Sequence, residues 1–142
     1  MPPPGGLIAS SPWADTSFSR AEIGSSHSLD TGPDIFDLPP NTHPLIASRA
    51  PIGAYIGEMD PEETKYNRYL SPASRLVIPP DDTKLFSGFP RSYIMGGGAE
   101  RLFDGIVALT KRDDGVDITT DFPPDAVHAY PTFGWHEPER TD

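Results

Sequence analysis

Two residues of this 142-residue chain stand where hydrolytic chemistry would need them. Glu100 follows Tyr93-Ile94-Met95-Gly96-Gly97-Gly98-Ala99, an apolar run with a glycine turn, and opens a segment of helical spacing. His128 lies in a loop just past Val116 to Phe122, the next strand-like run. An anionic carboxylate can orient an imidazole and stabilise its protonated form, and the imidazole can take a proton from a hydroxyl nucleophile. The free amides and dipole at a helix N-terminus favour the ionised acid that such a role requires. Taken singly, Glu100 is an ordinary first-turn acid and His128 a loop histidine. Their chemistry depends on being a pair.

The other candidates are weaker. Gly96 to Gly98 lacks the Lys-Ser/Thr of a phosphate-binding loop, and Glu100 beside it would repel phosphate, so tight packing and a sharp turn are its expected roles. Asp81-Asp82 and Asp113-Asp114 read as solvated turn charges. Ser10 and Ser11 end a strand, and nothing in the sequence marks either as activated. The absence of cysteine excludes disulfides, thiolate catalysis and cysteine-ligated zinc. His27, His43, His128 and His136 show no metal-ligand spacing, so neither a metal nor a cofactor is expected.

A formal charge of −10, with 21 acidic against 11 basic residues, disfavours nucleic acid as a partner, because no basic cluster could displace its counterions. No apolar run reaches membrane-spanning length, and Met1-Pro2-Pro3-Pro4-Gly5 lacks the basic and apolar regions of a signal peptide. A soluble, cytoplasmic protein is the default expectation.

The elements that must position Glu100 and His128 can be read in order. Gly6 to Ser11 is a short apolar run of the kind buried on both faces, stopped by Pro12. A long irregular excursion covers about 17–58, rich in Ser, Pro, Asp and Gly. Asp60-Pro61-Glu62-Glu63 carries capping and first-turn signals, predicting a helix to about Leu70 with Tyr66, Tyr69 and Leu70 facing inward. Pro79-Pro80-Asp81-Asp82 and Ser87-Gly88-Phe89-Pro90 predict turns. Ser92 to Gly96 reads as a strand, and Glu100 to Arg112 as a helix whose Leu102, Ile106 and Leu109 form one apolar stripe, closed by Gly115. With Val116 to Phe122 this makes a strand–helix–strand unit, so its two strands are expected as parallel neighbours. All of residues 1–142 are expected to belong to one α/β domain.

Gly97-Gly98-Ala99-Glu100-Arg101-Leu102-Phe103-Asp104 resembles the Gly-x-x-Asp/Glu-x-Leu-x-Asp segment of the hormone-sensitive-lipase-like esterases, an α/β-hydrolase family. Val116 to Phe122 with Pro124-Asp125-Ala126-Val127-His128 resembles that family's last strand and histidine loop. Gly5 to Asp15, with Ser11-Pro12-Trp13-Ala14-Asp15, resembles its sixth strand, and Ser71-Pro72 its Ser-Pro step. The resemblance implies a serine carboxylic-ester hydrolase acting on ester substrates, with Glu100 as triad acid and His128 as triad base. It also implies the C-terminal portion of the fold: three parallel strands with flanking helices and an incomplete sheet. No serine here has glycine both two before and two after it, so the Gly-x-Ser-x-Gly elbow of such enzymes is absent from these residues, as is a His-Gly-Gly oxyanion segment. Relative to the family, the chain begins after the elbow and stops where a closing helix would be built. An inactive, marginally stable chain is therefore expected, with exposed apolar surface and self-association through its open sheet edge. The alternative is a non-catalytic interaction module that pairs through that edge.

Overall fold

The computed structural model describes residues 4–17, 19–20, 52–77, 85–112 and 115–135. Most of the expected 17–58 excursion lies outside the described residues. So do the Pro79-Pro80-Asp81-Asp82 turn, the Asp113-Asp114 pair and three of the four histidines, His27, His43 and His136.

Three strands form one parallel sheet in the order β1-β2-β3: β1 Leu7–Ser10, β2 Ser92–Met95 and β3 Ile118–Asp121. The register runs Leu7 to Ser92 to Ile118 at one end and Ser10 to Met95 to Asp121 at the other. The chain thus leaves all three strands at one level, the carboxyl edge where parallel sheets place their ligands. Backbone bonds carry the ladder a step further, from the Ser11 N–H to the Met95 carbonyl (2.8 Å) and from the Gly96 N–H to the Asp121 carbonyl (3.0 Å).

Residues 52–56 form a short helix, α1, and Phe103–Thr110 forms α2, which joins β2 to β3 as the parallel pairing requires. The expected apolar stripe packs one face of the sheet. Ile94, Leu102 and Ile106 are its buried centre, with Trp13, Leu109, Ile118 and Phe122 around them. On the opposite face Ile8 is 74% exposed and Tyr93 38%. β1, read as a strand buried on both faces, has only β2 as a neighbour among the described residues, and Leu7 and Ile8 are exposed.

Two helices differ from their sequence signals. Asp60 does cap, its side chain accepting from the Glu62 N–H at 2.9 Å, but the capped element is a 3₁₀ helix, Pro61–Lys65, succeeded by turns. A continuing α-helix would pair the Lys65 carbonyl with the Tyr69 N–H. Instead the Ser74 hydroxyl takes the Lys65 carbonyl at 2.9 Å, and the Asn67 side chain takes the Tyr69 N–H at 2.9 Å. The chain turns away there, leaving Tyr66 and Tyr69 exposed, the reverse of the expected orientation. At the second helix, Glu100 lies in a tight turn before α2, with Glu100 N–H to Gly97 carbonyl and Phe103 N–H to Glu100 carbonyl bonds.

Candidate active site

The glycine turn brings two backbones together. The Gly98 N–H donates to the Pro123 carbonyl at 2.8 Å and the Ala99 N–H to the Ala126 carbonyl at 3.0 Å. A Cβ on Gly97 would stand 2.2 Å from the Ala126 carbonyl oxygen, and one on Gly98 2.6 Å from the Pro124 oxygen. Real Cβ atoms essentially never come within 3.0 Å, so only glycine admits this approach. The turn that carries Glu100 is thereby stitched to the loop that carries His128.

Glu100 is 1% exposed. Burying a carboxylate is costly unless donors replace its water. Here Oε2 accepts from the Ser11 hydroxyl at 2.7 Å and from the Gly97 N–H at 3.1 Å. His128 Nδ1 lies 3.9 Å from the same Oε2, with the imidazole side chain 20% exposed and the Glu100 side chain fully buried. That separation is longer than a hydrogen bond. The two residues singled out by sequence are thus neighbours, one sealed beneath the surface and one reaching it.

Two further residues lie beside the pair: Ser11, which the sequence marks only as a strand end and the start of the Ser-Pro-Trp-x-Asp segment, and Tyr130. The Ser11 hydroxyl, besides donating to Glu100, accepts the Ala129 N–H at 2.8 Å. Tyr130 is buried and donates its phenol hydrogen to the Asp121 carboxylate at the end of β3. Burial first, and that hydrogen bond second, raise its phenol above the ordinary value of about 10. The Ser-Pro-Trp-x-Asp segment is anchored independently. Asp15, 1% exposed, accepts from the Ser17 N–H (3.0 Å) and the Ser17 and Ser19 hydroxyls, while the Ala73 N–H donates to the Ala14 carbonyl at 2.8 Å. Among the described residues no cluster of acids and histidines could hold a metal, and no helix is long and apolar enough to cross a membrane.

Solved structures share this architecture. A hormone-sensitive lipase from a metagenome library matches 94% of the chain at TM-score 0.67 and 26% identity, over 39% of its own length. The hormone-sensitive-lipase homologue EstE7, also from a metagenome library, matches 95% at TM-score 0.65 and 26% identity, again over 39% of its length. The chain has the fold of a hormone-sensitive-lipase-like α/β-hydrolase. An esterase/lipase from an uncultured bacterium has the same fold at 23% identity and TM-score 0.62, matching 96% of this chain and 38% of that one. The chain therefore spans about two fifths of these proteins, and its open three-stranded sheet is part of the α/β-hydrolase sheet. No protein-family model and no curated protein matches the sequence.

Proposed function

We propose that Glu100 and His128 are the acid and base of a serine carboxylic-ester hydrolase whose nucleophile lies in polypeptide outside these 142 residues. The observation that carries the proposal is the meeting of a buried carboxylate and a part-exposed imidazole at the carboxyl edge of adjacent parallel strands. The hydrolase-type relatives support it. A serine hydroxyl would attack the ester carbonyl while His128 takes its proton; the protonated imidazole would then deliver that proton to the departing alcohol. Water would then attack the acyl carbonyl while His128 takes its proton, and the imidazolium would return that proton to the serine oxygen as the acyl–serine bond breaks and the acid departs. Glu100 would hold the ring's orientation and offset its positive charge without taking the proton.

Without nucleophile and oxyanion donors, imidazole and carboxylate recover almost none of the rate. Purified chain should therefore turn over p-nitrophenyl butyrate no faster than its His128→Ala variant. Coding sequence upstream of Met1 should supply an in-frame Gly-x-Ser-x-Gly. Turnover by the 142 residues that is abolished in His128→Ala would refute the placement of the nucleophile elsewhere.

The β1 edge, with Ile8 74% accessible and no described strand on its outer side, favours a second reading as an interaction module that adds a strand from another chain or a second copy. Sedimentation would separate the two: a stoichiometric complex with cooperative unfolding supports this reading, and a monomer at all accessible concentrations excludes self-pairing.

A further inference from the structure

Among the described residues only two non-glycine positions have positive φ, Ser11 at 45° and Ala129 at 54°. Such backbone is uncommon for residues with side chains, and it persists where the surroundings hold it. These two residues are hydrogen-bonded to each other, the Ala129 N–H donating to the Ser11 oxygen at 2.8 Å. They also flank the proposed acid and base. Ser11 donates to Glu100 Oε2 at 2.7 Å, and Ala129 directly follows His128. Ser11 itself is 4% exposed, so water is a poor substitute for either bond.

We propose that Ser11 is a positioning residue, whose one hydroxyl ties the Glu100 carboxylate to the His128 loop and so sets where the imidazole stands relative to the acid. The proposal rests on the reading of Glu100 and His128 as an acid–base pair. It assigns Ser11 no contact with substrate. A hydroxyl suits the task because it donates and accepts through one atom. The acid holds the hydroxyl hydrogen, which leaves the oxygen lone pairs for the Ala129 amide. The alternative is that Ser11 merely makes the turn before Pro12. The two roles diverge at Ser11→Gly, because glycine adopts φ of 45° without strain but supplies no hydroxyl.

The test is nitrogen-15 NMR of the full 142-residue chain at pH about 8, above the ordinary imidazole pKa of about 6.5, so that the ring tautomer is read directly. Wild type should hold His128 predominantly with the hydrogen on Nδ1, facing Glu100. In Ser11→Gly and Ser11→Ala that fraction should fall at least twofold, and the Ala129 amide should exchange with solvent at least tenfold faster. The Ile94 and Ile106 amides should keep their protection, showing that the core is intact. An unchanged His128 spectrum in Ser11→Gly, with Glu100→Gln nonetheless altering it, would overturn the role of Ser11 alone. If Glu100→Gln also leaves His128 unchanged, the acid–base pairing beneath the proposal fails with it.

Discussion

Gly97→Ala should separate the two halves of the site, and its cost can be worked from the structure. The added Cβ would lie 2.2 Å from the Ala126 carbonyl oxygen, 2.6 Å from its carbon and 2.6 Å from the Val127 oxygen. Ordinary contact begins at 3.4 Å, so the loop must recede by about 1.2 Å. All three obstructing atoms are backbone, so no side chain can swing aside. Retreat stretches the Ala99–Ala126 hydrogen bond, now 3.0 Å, beyond useful length. Overpacking costs about 1–3 kcal/mol, and the lost bond adds roughly 1 kcal/mol. A total of about 2–4 kcal/mol is a large share of the stability of any domain of this size. Urea unfolding monitored by circular dichroism reads it as a lower midpoint at unchanged slope, and the His128 ring resonances should shift with it. A variant with the wild-type midpoint and unmoved His128 signals would refute the claim that the glycine turn positions the histidine loop.

Gly53→Ala is the contrasting case. It lies in α1 with nothing within 4 Å of the added carbon, so the variant should gain about 0.5–1 kcal/mol in the same assay. Tyr130→Phe removes the hydrogen bond to Asp121 and should lose roughly 1.5–3 kcal/mol at neutral pH. Because folding raises the Tyr130 phenol's affinity for its proton, its stabilisation is complete below about pH 10 and is lost as pH rises through the raised folded value. Wild type and Tyr130→Phe should therefore converge in stability on the alkaline side, a trend that denaturation midpoints across about pH 8 to 11 would reveal.

The parts of this fold that a sequence can announce are those set by local pattern. Leu102, Ile106 and Leu109 repeat at helical spacing, and their helix packs as the spacing requires. Gly96 to Gly98 announce close approach, although only the structure shows that Gly97 and Gly98 meet the backbone of residues 124–127 while Gly96 packs against the Ile106 and Phe122 side chains. Glu100 and His128 are legible because each comes after a strand, and strands of a parallel pair end at one edge. Ser11 is not legible. Its role depends on a left-handed backbone and on partners 89 and 118 positions away. Asp60-Pro61-Glu62 announces a helix start correctly, but its termination is decided by Ser74, nine residues beyond Lys65, which captures the carbonyl that helix growth would use. Strand β1 misleads for a related reason. An apolar run records the surroundings a strand is suited to, and Leu7 and Ile8 stand exposed where another strand and a covering helix would bury them.

The central claim is that Glu100 and His128 serve an ester-hydrolysing nucleophile, and kinetics test it most directly. The measurement is kcat for p-nitrophenyl butyrate in a polypeptide that joins these residues to the proposed Gly-x-Ser-x-Gly-bearing segment, as wild type, His128→Ala and Glu100→Gln. The expected result is turnover in wild type that falls by at least about 10³-fold in His128→Ala and by about 10²- to 10⁴-fold in Glu100→Gln, with KM little changed. Wild-type turnover retained in His128→Ala would contradict it.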